Sequence, residues 1–105
     1  MAVKDLTTNE FNAAVAESGK LLVIDFWASW CGPCKMLSPV IDALSEEMTD
    51  TAFYKVNVDE ERALASQFGV SSIPTVVMIK DQKIVNQFVG YADKTTVRKR
   101  IEECK

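Results

Sequence analysis

The sequence predicts an α/β domain, a mixed sheet flanked by helices, in one unit spanning residues 1–105. Three observations carry that reading. Residues 21–28, LLVIDFWA, are almost continuously apolar, as a strand covered on both faces must be. Leu37, Val40, Ile41, Leu44 and Met48 recur at i, i+3, i+4, i+7 and i+11, the stripe of an amphipathic helix. Residues 75–79 and 83–89 are strand-like runs joined by a few residues around Asp81-Gln82, the pattern of an antiparallel hairpin.

Taken in order, residues 3–6 make a short edge strand. Thr7 with Glu10 has capping-box spacing, and Phe11, Ala14 and Val15 follow at helical intervals. The apolar strand at 21–28 leads into the amphipathic helix. Pro39 in that helix removes the bond to the Lys35 carbonyl, which predicts a kink. Residues 53–58 are β-branched and aromatic and end at Asp59, placed to cap a short helix running to Phe68. Gly69 stands where a helix-ending glycine belongs. Strand, helix and strand make a βαβ unit with parallel strands. After the hairpin, a helix from about Lys94 shows its apolar stripe at Val97, Ile101 and Cys104.

A chain of 105 residues buries about 65% of the surface its unfolded form exposes, so it has no need of disulfide staples. The net charge is −3, with both signs mixed along the length. Nucleic-acid binding, which needs a basic patch, is not expected. No apolar run approaches the roughly 20 residues of a membrane span. The N-terminus, MAVKDLTTNE, has no signal-peptide core, and a cytoplasmic, thiol-reducing setting is expected. A close cysteine pair in that setting is metal-binding or catalytic more often than structural.

Cys31-Gly32-Pro33-Cys34 is that pair. A structural zinc site needs four ligands. The chain has no histidine, and its remaining cysteine, Cys104, lies on another helix, where it acts as a small hydrophobe, so no metal is expected. A structural disulfide closing so short a loop adds little. The redox reading remains. Cys31 falls just before the helix and Cys34 one turn inside it. Unpaired N–H groups and the helix dipole stabilise a thiolate at Cys31. Positions i and i+3 bring the two sulfurs within bonding reach. Pro33 suits a first helical turn, and Gly32 lets the backbone turn while keeping bulk away from a substrate.

On WCGPCK at 30–35, DFWA at 25–28, Pro39, KVNVD at 55–59, Ile73-Pro74-Thr75 and Gly90, the chain resembles the thioredoxin family. These matches span most of the chain in family order. The resemblance implies a thioredoxin-like fold: a central five-stranded mixed sheet flanked by four helices, with a βαβ half followed by a ββα half. It also implies a reversible Cys31–Cys34 disulfide and no bound cofactor. Asp25, inside the apolar strand, is either a strand-end carboxylate facing water or a buried group. The resemblance implies the latter, behind Cys34 and assisting its proton transfer. Lys55 is either its partner on the next strand or an ordinary solvated lysine. An Ile73–Pro74 bond has only about a 5–6% chance of being cis from sequence alone. The resemblance implies a cis bond, with the Ile73 backbone offered as a β-type edge to an extended substrate. Trp30, Ile73, Val89 and Gly90 then form an apolar collar around Cys31, whereas Trp27 is read as core. Two departures from the family pattern stand out: Asp81-Gln82 where the hairpin commonly carries glycine, and Tyr91 where a small residue is common. Tyr91 is placed to add an aromatic contact to the collar.

The function implied is that of a general disulfide reductant. The Cys31 thiolate attacks a target disulfide, and Cys34, deprotonated with help from Asp25, resolves the mixed disulfide. The four glycines (19, 32, 69 and 90) are isolated and no G-x-G-x-x-G occurs, so no dinucleotide site is expected. By resemblance, electrons come from NADPH through a partner flavoprotein, thioredoxin reductase. The other expected partners are disulfide-containing proteins, and the chain is expected to be a monomer. Two rival readings stand beside this one: the same fold run as an oxidant or isomerase, and a binding subunit that uses the collar without redox chemistry.

Overall fold

The computed structural model describes residues 2–17 and 19–105. The elements run β1 (Val3–Asp5), α1 (Thr8–Glu17), β2 (Leu21–Trp27), α2 (Gly32–Glu47), β3 (Thr51–Asn57), α3 (Arg62–Gln67), β4 (Thr75–Lys80), β5 (Lys83–Val89) and α4 (Lys94–Glu103). They form one five-stranded sheet in the order β1-β3-β2-β4-β5. β3 is parallel to both β1 and β2, while β4 is antiparallel to β2 and β5. This is the five-strand, four-helix mixed architecture that the sequence predicts.

Alternation along β2 divides the interior in two, because successive side chains of a strand leave opposite faces. Leu21 and Val23 pack with Leu37, Ile41 and Leu44 of α2 and with Val97 and Ile101 of α4. Leu22, Ile24 and Phe26 pack on the other side with Phe11 of α1 and Leu64 of α3. Burying each of these side chains contributes roughly 1.5–3 kcal/mol. The pattern sets the site: Asp25 and Trp27, in phase with Leu21 and Val23, belong to the α2 face.

Local chemistry ends the elements where they end. The Glu10 N–H donates to Thr7 Oγ1 and the Thr7 N–H to Glu10 Oε1, each at 3.3 Å, completing the capping box at the start of α1. Pro39 sits inside α2, which runs past it as one helix. The expected Asp59 cap is corrected: α3 starts later, with Glu61 at the N-cap and no side-chain capping bond. Asn57 is the reason. Its carbonyl accepts from the Glu61 N–H at 2.8 Å and its side chain from the Asp59 N–H at 2.9 Å, so a turn is inserted before the helix. Gly69 closes α3 at φ 64°, with its own N–H on Ser66 O and the Val70 N–H on Ala65 O, a Schellman motif. The β4–β5 turn has positive φ at both Asp81 (52°) and Gln82 (65°), the backbone of a type I′ turn. Cys104 is half-buried at the end of α4, with its Sγ 3.9 Å from Met78 Sδ.

Candidate active site

β2 ends at Trp27 and α2 begins at Gly32, so residues 28–31 form the link between a central strand and a helix N-terminus. The Cys31 N–H donates to the Ala28 carbonyl at 3.2 Å, drawing the link into a turn. Cys31 is the N-cap of α2 in extended conformation, and its Sγ accepts from the Cys34 N–H at 3.2 Å. The sulfur thus occupies the place a serine or aspartate oxygen takes in an ordinary cap, facing the positive end of the helix. Pro33 lies in the first turn, and Gly32 and Pro33 are both exposed. Cys31 and Cys34 are joined as a disulfide with Cα atoms 5.2 Å apart.

A second segment meets this one. The Ile73–Pro74 peptide bond is cis, and the Ile73 carbonyl oxygen lies 3.8 Å from Cys31 Sγ. The Gly90 N–H donates to the Pro74 carbonyl at 2.8 Å, tying the end of β5 to the proline. Gly90 has φ 92°, where a side chain would strain the backbone. Cys31 is itself only 5% exposed, whereas Trp30 at 67%, Val89 at 59% and Tyr91 at 47% are large apolar side chains left open to solvent. The Trp30 ring is held in place: its Nε1–H donates to Asp59 Oδ2 at 2.8 Å. Asp59, read from sequence as a helix cap, is therefore a site residue that sequence reasoning missed. Its position in KVNVD was the available signal, but nothing local says that its partner lies 29 residues away.

Behind the disulfide, Ala28, Cys31 and Cys34 make a small apolar cluster with Trp27, Val58 and Ile73 against it. Beside it a cleft of about 240 Å³ is lined by Asp25, Trp27, Cys34, Lys35, Ser38 and Lys55, among others. Asp25 is 4% exposed, so it is the buried group and not a strand-end carboxylate. Burial first, and the Asp42 charge second, push its pKa up to about 7 against the opposing pull of Lys55. Lys55 stands opposite Asp25 in the β2–β3 register. Its ammonium, however, lies 5.8 Å from the centre of the Trp27 ring and 3.9 Å from Asp5 Oδ1, not in an ion pair with Asp25. Trp27, read as core, lines the Asp25 cleft as well. Among the described residues no group of Cys, Asp and Glu is arranged to hold a metal ion, and no helix is long and apolar enough to cross a membrane.

The family model described as thioredoxin matches residues 2–103. The thioredoxin of Chlorobaculum thiosulfatiphilum is 44% identical over 100 residues, covering 94% of this chain and 93% of that protein. The thioredoxin of Chlamydia caviae is 45% identical over 101 residues, covering 96% and 97%. Among solved structures, a thioredoxin from Nicotiana alata superposes with a TM-score of 0.91 at 39% identity, over 99% of this chain and 93% of that one. With matches of this identity along nearly its whole length and a cysteine pair closed at a helix N-terminus, the chain belongs to the thioredoxin family.

Proposed function

We propose that this chain is a general reductant of protein disulfides in the cytoplasm, working as a monomer with Cys31 as nucleophile and Cys34 as resolving thiol. Family membership and the redox-active pair already make it a protein dithiol–disulfide oxidoreductase. The observation that carries the finer reading is the placement of Cys31 Sγ on the α2 N-terminus, with Cys34 and buried Asp25 lining one cleft behind it.

In the reduced protein, helix N–H groups stabilise a thiolate at Cys31. That thiolate attacks one sulfur of a target disulfide. A bond forms between Cys31 and that sulfur, and the other target sulfur leaves as a thiolate that takes a proton from water. The Cys34 thiol gives its proton to the Asp25 carboxylate, and the Cys34 sulfur attacks Cys31. The mixed disulfide breaks, the second target sulfur leaves as a thiolate that is protonated from water, Asp25 returns its proton to water, and the Cys31–Cys34 disulfide closes. Two electrons pass from the dithiol to the target. A base with a pKa near neutrality suits the proton step. The exposed Trp30, Val89 and Tyr91 and the Ile73 backbone beside cis Pro74, with Gly90 holding the proline, form the docking edge for an extended target segment. Gly32 and Pro33 leave the approach to Cys31 open. Lys55 acts through its charge on Asp25. Recharging falls to an NADPH-dependent flavoprotein, thioredoxin reductase.

Cys34→Ser is expected to accumulate stable mixed disulfides with target proteins, while Cys31→Ser forms none. Non-reducing gels of cell extracts carrying each variant show the difference. Trapping by Cys31→Ser alone would reverse the two roles. Full rescue of cells by a Cys31→Ser, Cys34→Ser double variant would favour a binding subunit over a reductant.

A further inference from the structure

Two buried polar atoms remain unused once the site is assembled. Asp25 Oδ1 and Trp27 Nε1 are both shut off from solvent, and neither has a hydrogen-bond partner among the described residues. The indole N–H is a donor only, and the ionised carboxylate an acceptor only. Buried polar groups are rarely left without a partner, protein or water. These two stand two residues apart on β2, so their side chains leave the sheet on the same face. Both residues line the cleft beside Cys34.

We infer that Trp27 is a positioning residue for the proton step at Cys34: its indole N–H and the Asp25 carboxylate hold one ordered water between them. The water accepts from Trp27 Nε1 and donates to Asp25 Oδ1, satisfying both atoms at once. It also keeps that oxygen in the cleft that Cys34 shares. This inference rests on the proposed role of Asp25 as proton acceptor. Water donating to a carboxylate favours the ionised form. Trp27 therefore acts on Asp25 in the same sense as Lys55 of β3 and in the opposite sense to burial and to Asp42 of α2. Lys35 of α2 is the remaining charged group lining the cleft. The ring of Trp27 serves the Lys55 ammonium, and its N–H serves Asp25.

The test removes the N–H and keeps the ring. A synthetic segment of residues 1–30 is ligated at Cys31 to expressed residues 31–105 to give the full chain. It carries carboxyl-¹³C aspartate at 25 and either tryptophan or its sulfur isostere, benzothienylalanine, at 27. Trp27→Phe, expressed conventionally, is the companion. NMR follows Asp25 protonation, and stopped-flow mixing follows target release from the Cys31 mixed disulfide, both against pH. The isostere is expected to raise both midpoints by about half a pH unit or more, and so to slow release roughly threefold below pH 6. In the unmodified chain, Trp27 Hε1 is expected to exchange magnetisation with a long-lived water. Unshifted midpoints in the correctly folded isostere, or no such water, overturn the inference. Asp25→Asn separates the two levels. If it leaves release and its pH profile unchanged, the role of Asp25 fails and the inference with it. If it flattens a profile that the isostere leaves in place, the role of Asp25 stands and Trp27 has no part in it.

Discussion

Asp25 keeps its proton up to about pH 7 in the native protein, against 3.8 for an ordinary aspartate, chiefly because burial penalises the charged form. Between those two values the unfolded chain has lost a proton that the native chain retains. The contribution of this group to stability is therefore full below about pH 4, falls as the pH rises, and levels off above about pH 7. The loss is on the order of 4 kcal/mol for a shift of that size. Asp25→Asn removes the titration, so urea melts of the oxidised protein should find the variant more stable by roughly 2–4 kcal/mol at pH 8 and by little at pH 4. An equal gain at both pH values contradicts the buried, neutral aspartate. Asp59 offers a contrasting residue-scale case, since its bond to Trp30 lies at the surface. Asp59→Ala should change stability by less than about 1 kcal/mol. Docking would then have to order a freed ring, at roughly 0.5–1.5 kcal/mol. Steady-state reduction of a protein disulfide should show KM raised about 2- to 10-fold with kcat nearly unchanged. A fall in kcat alone would place Asp59 in the chemistry and not in docking.

At the scale of elements, the β4–β5 hairpin carries its own test. Its type I′ turn puts two non-glycine residues at positive φ, where an L-residue costs roughly 1–2 kcal/mol relative to glycine. Gln82→Gly should therefore raise the urea midpoint by an amount equivalent to about 1 kcal/mol at unchanged m-value. A destabilised variant would mean that Gln82 supports the turn through its side chain. This turn also marks where sequence reasoning stops. The helix at 37–48 was legible because burying one face imposes a helical period, and the strand at 21–28 because burial on both faces leaves it almost continuously apolar. Neither Asp81 nor Gln82 compels positive φ, so the turn type was not legible. Helix α3 shows the same limit. Asp59 is a good capping residue by type, yet Asn57 captures the chain first and moves the helix start to Arg62. The Thr7–Glu10 box formed as expected because its partners are three residues apart and nothing competes for them.

For the whole molecule, what the sequence hid is long-range. The cysteine pair, its helix start and the cis proline follow from a local motif and from the family resemblance. The bond from Trp30 to Asp59, the ring of Trp27 under the Lys55 ammonium, and the Asp42 charge acting on Asp25 depend on how β2, β3 and α2 are brought side by side. Lys55 shows this well: register places it opposite Asp25, but its ammonium reaches toward Trp27 and Asp5. These elements combine into a single property, the tendency of the Cys31–Cys34 pair to give up electrons. Equilibrating the purified protein against a graded glutathione redox series, with free thiols trapped at each point, measures it directly. A reductant should have a potential well below the glutathione poise of about −220 to −260 mV, with Cys31–Cys34 still oxidised in mixtures where glutathione is largely reduced. A potential near or above that poise would contradict the account and make the chain an oxidant or isomerase on the same fold.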